Sequence, residues 1–345
     1  MNLTRKQTTT LIILAGLLVS ISLISLVIGQ LHIPLSAFFA FLGEQTGFFQ
    51  PAAPALSEEQ AAVLYHVRLP RLFTGILVGA ALAVSGAVMQ GIFGNPLAEP
   101  GIIGVSSGAS FGAVLSVAFS LTSLSMYMMP LCAIAGALAA VSLTLLLTKG
   151  GKTPVMVLLL AGVAVGIIFG ALTSSVLTFM NEQKLREYLF WTIGGLDYRN
   201  WGHIYLAAGP IILGITTLTI FARHLNALSF GEESARAVGV PVIALRLAFL
   251  FLATISTAFA VCISGGISFV GLVVPHIMRL ILGPEHRALL PAAALAGAAF
   301  LVGCDTLGRM IIPPLEIRVG IMTALVGAPY FLYLLRRVQK QGGLS

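Results

Sequence analysis

The side chains that could do chemistry stand singly along this sequence. Cys132, Cys262 and Cys304 each lie alone in an apolar run, a pattern that suggests neither a disulfide framework nor a zinc site. No two of the six histidines have the spacing of metal ligands, and no H-E-x-x-H motif is present. We therefore expect no catalytic residue, no metal site and no cofactor bound by this chain.

One short segment mimics a nucleotide site. Gly151-Lys152-Thr153 is similar to the end of a phosphate-binding loop. That motif needs a glycine at position 146, which is Leu146 in this sequence. The lysines at 149 and 152 are better explained as anchors of an inner loop.

The elements that position these side chains are membrane-spanning helices. Of the 345 residues, 58% are hydrophobic and only 9% are charged, whereas a soluble domain has about 25% charged residues. A span needs roughly 20 mainly apolar residues, so the chain has room for about ten. We predict an all-α polytopic membrane protein with one transmembrane domain over residues 1–345, and a first helix that is retained rather than cleaved. The predicted spans cover about 10–31, 68–91, 100–119, 126–148, 154–179, 201–222, 242–264, 267–282, 287–305 and 318–337.

The basic residues orient these spans. With an even number of spans both termini lie on the same side, and placing them inside gives the inner segments 12 of the 19 Lys and Arg residues. The positive-inside rule therefore predicts cytoplasmic N- and C-termini. The remaining 7 basic residues lie on the outer side, where topology does not explain them.

Glycines at four-residue spacing mark the fifth predicted span. Gly162, Gly166 and Gly170 form a smooth stripe on one helix face, which allows another backbone to approach closely. The stripe serves packing alone, or it also forms the wall of a narrow transport pathway. We predict that the fifth span, including Thr173 and Thr178, is the main lining, with Met89 and Gln90 on the second span.

Five separated motifs follow one another along the chain: Arg68-Leu69-Pro70-Arg71, residues 79–90, residues 95–101, residues 269–279 and residues 320–329. In this order they resemble the FecCD/vitamin B12-type permease family. The resemblance runs from about residue 63 to the C-terminus and implies the membrane subunit of a type II ABC importer. It implies a homodimer of ten-helix subunits with two ATPase subunits inside and a substrate-binding protein outside. ATP and Mg²⁺ would be bound by the partner ATPase.

The inner loop 223–241 is the candidate contact with the ATPase. From the residues alone, 234–238 reads as a short helix stopped by Gly239 and Pro241. An amphipathic loop helix lying on the membrane surface is the alternative. In similar permeases this loop forms the coupling helices. The predicted coupling residues are Leu228, Gly231, Glu232, Glu233, Ala235, Arg236 and Gly239.

The outer arginines are the candidate contact with the binding protein. In the family, arginines that match Arg68 and Arg309 meet glutamates on the two lobes of that protein, and Arg71 is a further candidate. The alternative is anchoring at the lipid headgroups through long side chains. Asp305 precedes Arg309 by four residues, so the two can pair on one helix face.

A Pro-rich inner segment is the candidate gate. Pro96 and Pro100 break helix, and Pro96 also biases Asn95 away from the helical region. Glu99 either caps the following helix electrostatically or makes a gate contact near the inner mouth.

These features predict a permease that moves an iron chelate (a ferric siderophore or haem) or cobalamin across the bacterial-type inner membrane by alternating access. It would contact lipid and no nucleic acid, and it would catalyse no covalent chemistry. An ion-coupled secondary transporter of a small organic solute is the alternative. That class needs ionisable groups near the bilayer midplane, where the predicted spans carry almost none.

Overall fold

A computed structural model describes residues 4–29, 31, 33–34, 36–38, 40, 43, 56–148, 154–229, 231–237 and 239–342. The long helices are α1 (Arg5–Val27), α2 (Glu58–Phe93), α3 (Val105–Ala118), α4 (Met128–Leu147), α5 (Val155–Thr178), α7 (Trp201–Ile220), α10 (Val242–Ser264), α11 (Val270–Leu282), α12 (His286–Met310) and α13 (Val319–Gly342). Three shorter helices are α6 (Glu182–Ile193), α8 (Ala222–Ser229) and α9 (Glu232–Ala237). The segment 151–153 and Val238 lie outside the described residues.

Each predicted span coincides with one long helix, which confirms the all-α membrane fold. Among the described residues, seven helices are long and apolar enough to cross a membrane, and three apolar helices are shorter. The shorter ones are Val105–Ala118, Val270–Leu282 and the apolar part of α13, Val319–Tyr333. The helix α6 has no counterpart among the predicted spans, because its sequence is too polar to resemble one.

Helix α2 lies at the centre of the bundle because its glycines allow backbones to touch. A Cβ on Gly79 would overlap the carbonyl group of Gly297 in α12, and a Cβ on Gly86 would overlap Gly271 in α11. The most apolar window of α2 is 78% buried, against 22% for α5 and 17% for α1. Helices α1 and α5 therefore present most of their surface to lipid or to another subunit.

Contacts between helix ends define two opposite faces. The amide of Gln7 donates to Glu285 at 3.2 Å, and Asn226 Oδ1 accepts from the backbone N–H of His286 at 2.8 Å. The start of α1, the segment 222–239 and the start of α12 therefore share one face. The ends of α1 and α12 and the start of α2 share the other, where Arg71 meets Asp305. The first face is the one predicted to be cytoplasmic, and the second is called the outer face below.

Candidate functional site

Charged side chains on the outer face form one cluster, which we call the outer arginine cluster: Arg68, Arg71, Arg309, Asp305 and Glu316. Helix α2 supplies Arg68 and Arg71, helix α12 supplies Asp305 and Arg309, and Glu316 lies before α13. Three guanidinium groups meet two carboxylates, so the cluster carries a net positive charge.

Arg68 holds the C-terminal end of α1. The side chain lies in a π-helical turn, Leu64–Arg68, and is buried, with 6% of its surface exposed. Its guanidinium donates to the carbonyls of Leu26, Val27 and Leu31. The last carbonyls of a helix lack intrahelical partners and carry partial negative charge. A buried cation therefore fits this position.

Arg309 holds the same end of α1 from the opposite side. Its guanidinium donates to the carbonyl of Ile28 at 2.9 Å and to the hydroxyl of Ser25 at 2.7 Å. The Nε atom of Arg309 lies 3.4 Å from Oδ2 of Asp305. The predicted pairing of Asp305 with Arg309 is confirmed.

Arg71 joins α2 to α12 and to the segment before α13. Its Nε and Nη2 atoms donate to the carboxylate of Asp305 at 2.9 and 2.8 Å, and Nη1 donates to Glu316 at 2.7 Å. The fork geometry of guanidinium on carboxylate gives strong, directional hydrogen bonds. Arg71 is therefore a cross-link between three elements.

All three predicted docking arginines thus bind within their own subunit. Arg68 and Arg309 engage the α1 terminus, and Arg71 engages two acids. Their contact with a binding protein stays a prediction, and it requires these internal contacts to be shared or exchanged. Sequence reasoning missed this role because the partners are backbone carbonyls, whose position depends on how α1 packs.

On the inner face, α8 anchors the predicted coupling loop to the bundle. Leu225 is fully buried, the hydroxyl of Ser229 donates to the carbonyl of Gly91 at 3.3 Å, and Asn226 binds the start of α12. Leu228 packs partly buried against the core. The predicted short helix is present as α9, while α8 was expected only from the family resemblance.

The remainder of the coupling loop follows α8 and contains α9. Gly231 and Gly239 flank α9 at φ values of 105° and 79°, which favour glycine over other residues. Ala235 is buried against the bundle, and Arg236 is exposed. Glu232 and Glu233 begin α9. The predicted coupling residues therefore lie on α8, on α9 or at the ends of α9, but their contact with an ATPase stays a prediction.

The predicted helix break after α2 is present. Helix α2 ends at Phe93, Gly94 adopts φ 59°, and Asn95 Oδ1 accepts from the backbone N–H of Leu97 at 2.9 Å. Pro96 follows in the turn, and Pro100 begins a short 3-10 helix, Pro100–Ile103.

Glu99 precedes this 3-10 helix without a capping hydrogen bond from its side chain. Burial raises the pKa of the Glu99 carboxyl above its usual range. Glu99 thus does not cap through hydrogen bonding, and a gate contact stays a prediction.

The glycine stripe of α5 splits into two parts. Gly162 packs so closely on Ile102 and Ile103 that a Cβ would lie 2.7 Å from the Ile103 Cα atom, whereas a Cβ on Gly170 would meet no atom within 4 Å. Gly166 is intermediate, with only the Ser107 hydroxyl near its would-be Cβ, at 3.5 Å. The inner part of the stripe serves packing, and the outer part is open.

The two threonines of α5 differ in the same way. Thr173 is buried and donates to Phe169 O at 2.8 Å, whereas Thr178 is exposed and donates to Ser174 O at 3.0 Å. Only the exposed positions of α5 can line a pathway in this conformation.

Met89 and Gln90 line no open surface, which corrects the sequence interpretation. Met89 is fully buried, and Gln90 is 3% exposed and donates to Leu272 O in α11 at 3.1 Å. The reason is the central position of α2, whose glycines allow α11 and α12 to pack closely against it. The sequence of α2 alone does not show which neighbours surround it.

The outer face also contains a cavity of about 670 Å³, which we call the outer vestibule. Phe190 of α6, the segment 196–200 and residues 314–318 line it beside Arg71. Arg318 donates to Asp197 Oδ2 at 3.0 Å and to the Phe190 carbonyl, and it lies 4.5 Å from the centre of the Phe190 ring. In the sequence, Arg199 and Arg318 were visible only as outer basic residues, since their neighbours come from distant segments.

Comparison with known proteins shows the family of this chain. The model of the FecCD transport family matches residues 16–337. The chain belongs to the FecCD transport family. Like the family, it is a multi-pass permease of the inner membrane.

Individual relatives extend the match. The chain is 45% identical to the cobalamin import system permease protein BtuC of Halobacterium salinarum, over 83% of this chain and 77% of the relative. It is 41% identical to the hemin transport system permease protein HmuU of Yersinia pestis, over 80% and 84%. A solved structure described as an inward-facing conformation of a transporter assigned to the metal-chelate type superposes with a TM-score of 0.84. That pair shares 34% identity over 96% of this chain and 99% of the other.

Proposed function

We propose that this FecCD-family permease carries an iron chelate, either a ferric siderophore or haem, or cobalamin across the inner membrane by alternating access. Two copies of the chain would form the pathway, two ATPase subunits would bind ATP and Mg²⁺ on the inner face, and a binding protein would deliver cargo to the outer face. The chain itself binds no cofactor in this proposal. The names of the relatives support cobalamin and haem as cargo classes.

The main observation that supports this proposal is the arrangement of helices on the inner face. A short helix flanked by left-handed glycines follows an anchored helix, and the anchors reach two central helices through Gly91 and His286. In this proposal, an ATPase that moves the short helix would also move the ends of α2 and α12. A permease without its own ATPase needs such a contact.

Reconstitution tests the whole proposal. The chain, its cognate ATPase and its binding protein are placed in proteoliposomes, and uptake of a ferric siderophore, haemin and cobalamin is scored with and without ATP. We expect ATP-dependent uptake of at least one cargo. Uptake driven by an ion gradient in the absence of the ATPase would instead support a secondary transporter and contradict the proposal.

The coupling role is tested by replacing residues 231–236 with a flexible Gly/Ser linker of equal length. We expect the permease to remain folded, because α8 carries the anchors, but to lose its ATPase in pull-down. The matched control is a linker of the same kind at residues 121–123, a short turn on the outer side. Retained assembly in the 231–236 variant would remove the coupling assignment.

The docking role is tested by charge reversal of Arg68 and Arg309. We expect weaker affinity for the binding protein, most strongly at low salt, because ions screen the attraction between the charges of two docking surfaces. Hydrogen–deuterium exchange at the backbone amides of residues 25–31 should accelerate when the binding protein docks. Docking would break the hydrogen bonds that the two guanidinium groups donate to the end of α1. Unchanged affinity at low salt would leave these arginines with the structural role alone.

A further inference from the structure

Two of the three arginines that line the outer vestibule are ion-paired. Arg71 is bound to Asp305 and Glu316, and Arg318 is bound to Asp197. Arg199 also lines this cavity. Among the residues that the structure describes, no carboxylate lies within ion-pair distance of the Arg199 guanidinium.

Part of the Arg199 guanidinium is also shielded from solvent. Its Nε atom is shielded from solvent and has no hydrogen-bond partner among the described residues. Burial lowers the pKa of Arg199, and Asp197 only partly opposes this effect. A partly buried charge without an ion pair is costly, so this position favours an incoming anion.

A second cavity shares Arg199 with the outer vestibule. Its volume is about 170 Å³, and Arg199, Trp191 and His203 are among its lining residues. The indole Nε1 of Trp191 is buried and, within the described part of the chain, has no acceptor. Two residues that line this smaller cavity, Arg199 and Trp191, therefore each have a buried donor without an acceptor among the described residues.

We propose that Arg199 binds a carboxylate of the cargo at the outer vestibule, so that the cargo is an anionic, carboxylate-bearing chelate. This inference rests on the proposed function and narrows it. Guanidinium presents a planar fork of donors that matches a carboxylate. Haem or a carboxylate siderophore fits this chemistry, and a chelate without carboxylates does not use it.

The size of the vestibule favours cargo over a smaller anion. Small-molecule sites occupy roughly 300–1,000 Å³, and the vestibule lies within that range, whereas a single phosphate needs far less room. Lipid headgroups are the competing source of an anion, because Trp201 stacks with Tyr205 in an aromatic group typical of a membrane interface. The experiment therefore separates the two.

Binding of haemin and of haemin dimethyl ester to the full chain tests the proposal. The permease is placed in phosphatidylcholine nanodiscs, and quenching of its two tryptophans is titrated with each probe, with empty nanodiscs as the blank. The two probes share the iron porphyrin and differ in the carboxylates. The variants are Arg199→Gln and Arg199→Lys, with Arg186→Gln as the control, because Arg186 is an exposed outer arginine paired with Glu182.

We expect Arg199→Gln to weaken haemin binding by about tenfold to a hundredfold. The ester should bind the wild type as weakly as haemin binds this variant, and Arg199→Lys should recover part of the affinity. The Arg186→Gln control should match the wild type. Thermal unfolding of each variant shows whether it is folded. If Arg199→Gln is not folded, the comparison with the wild type uses Arg199→Lys instead.

Other outcomes overturn the proposal. Equal losses for haemin and its ester would remove the carboxylate contact. If haemin binding is lost only when phosphatidylglycerol replaces phosphatidylcholine in the nanodiscs, Arg199 binds lipid. If Arg199→Gln keeps its haemin binding but has a weaker affinity for the cargo-free binding protein, Arg199 serves docking. ATP-driven uptake by the wild-type importer is measured in parallel, so failure of the function as a whole is recognised separately.

Discussion

The outer and inner faces of this permease use their charges in opposite ways. On the outer face, Arg68, Arg71 and Arg309 are buried or nearly so, and each is bound to carbonyls or acids of the same subunit. On the inner face, α8 is fixed by an apolar side chain and two polar contacts, while Arg236 on α9 is exposed. The outer cluster therefore cross-links helices of the bundle, whereas the inner segment keeps an exposed charged side chain on α9.

This difference separates stability from recognition. A charge that is already paired in a low-dielectric site contributes mainly to the position of its neighbours, and removing one partner is costly. A residue with an exposed side chain on a short loop helix contributes less to the fold. Variants on the outer face should accordingly change stability more than assembly, and variants of α9 should do the reverse.

The largest expected effect comes from Asp305→Ala. Asp305 is the shared partner of Arg71 and Arg309, with only 4% of its side chain exposed. Without the Asp305 carboxylate, two buried guanidinium groups lose an opposite charge. We therefore expect the free energy of unfolding to fall by about 3–5 kcal/mol. Thermal unfolding in nanodiscs measures this loss.

Glu316→Ala is the matched control for Asp305→Ala. Glu316 also binds Arg71, but its side chain is 35% exposed. An exposed pair contributes only about 0–1 kcal/mol. Equal shifts for the two variants would contradict the structural role of the buried pair.

Leu225→Ala tests the anchor of the inner segment. Leu225 is fully buried in the main core, and large-to-small changes in a core cost about 2–5 kcal/mol. Leu228→Ala, at a partly buried site on the same helix, should cost less stability and should weaken ATPase binding. Both effects are read from thermal unfolding and pull-down, and a stable Leu225→Ala variant would mean that α8 is not anchored.

Arg68→Ala should release the end of α1. Hydrogen bonds to charged groups contribute about 1.5–3 kcal/mol, and the lost ones here belong to Leu26, Val27 and Leu31. Hydrogen–deuterium exchange at residues 24–31 should therefore accelerate. Arg186→Ala is the comparison, because its pair with Glu182 is exposed and should change exchange little.

Glu99→Gln is expected to have the smallest effect, and one that depends on pH. Burial raises the folded-state pKa of Glu99, so its contribution to stability is complete below the unfolded pKa of about 4.3 and is lost as pH rises through the folded pKa. The neutral amide of the variant avoids this loss, so the variant should be slightly more stable than the wild type at neutral pH. The difference should vanish near pH 4, roughly the unfolded pKa, and a difference that persists there would point to another cause.

Local features of the sequence predicted much of this molecule. The apolar runs located the helices, Asn95 and Pro96 marked the end of α2, and the i,i+4 spacing of Asp305 and Arg309 predicted their pair. These features depend on neighbours within a few residues. The helix α6 was missed because its polar sequence carries no hydropathy signal, although Asn181 caps it by accepting from the backbone N–H of Lys184.

The partners of charged groups could not be predicted in the same way. Arg71 meets Asp305 across 234 residues, and Arg68 meets carbonyls about 40 residues before it. The burial of Met89 follows from the way in which α11 and α12 pack on α2. Such contacts depend on helix packing, which glycine stripes allow but do not specify.

The sequence by itself showed that this protein lies in a membrane, where its spans are and to which family it belongs. Composition, run length and ordered motifs are properties of the linear chain, so no tertiary structure is needed to find them. Only the tertiary structure showed which charged side chains are bound by groups of the same subunit and which are not. It showed Arg68 and Arg309 holding α1, and it showed Arg199 in a cavity without a carboxylate partner among the described residues. The reason is physical: the free energy of a charge depends on its surroundings, and folding brings those surroundings from distant parts of the chain.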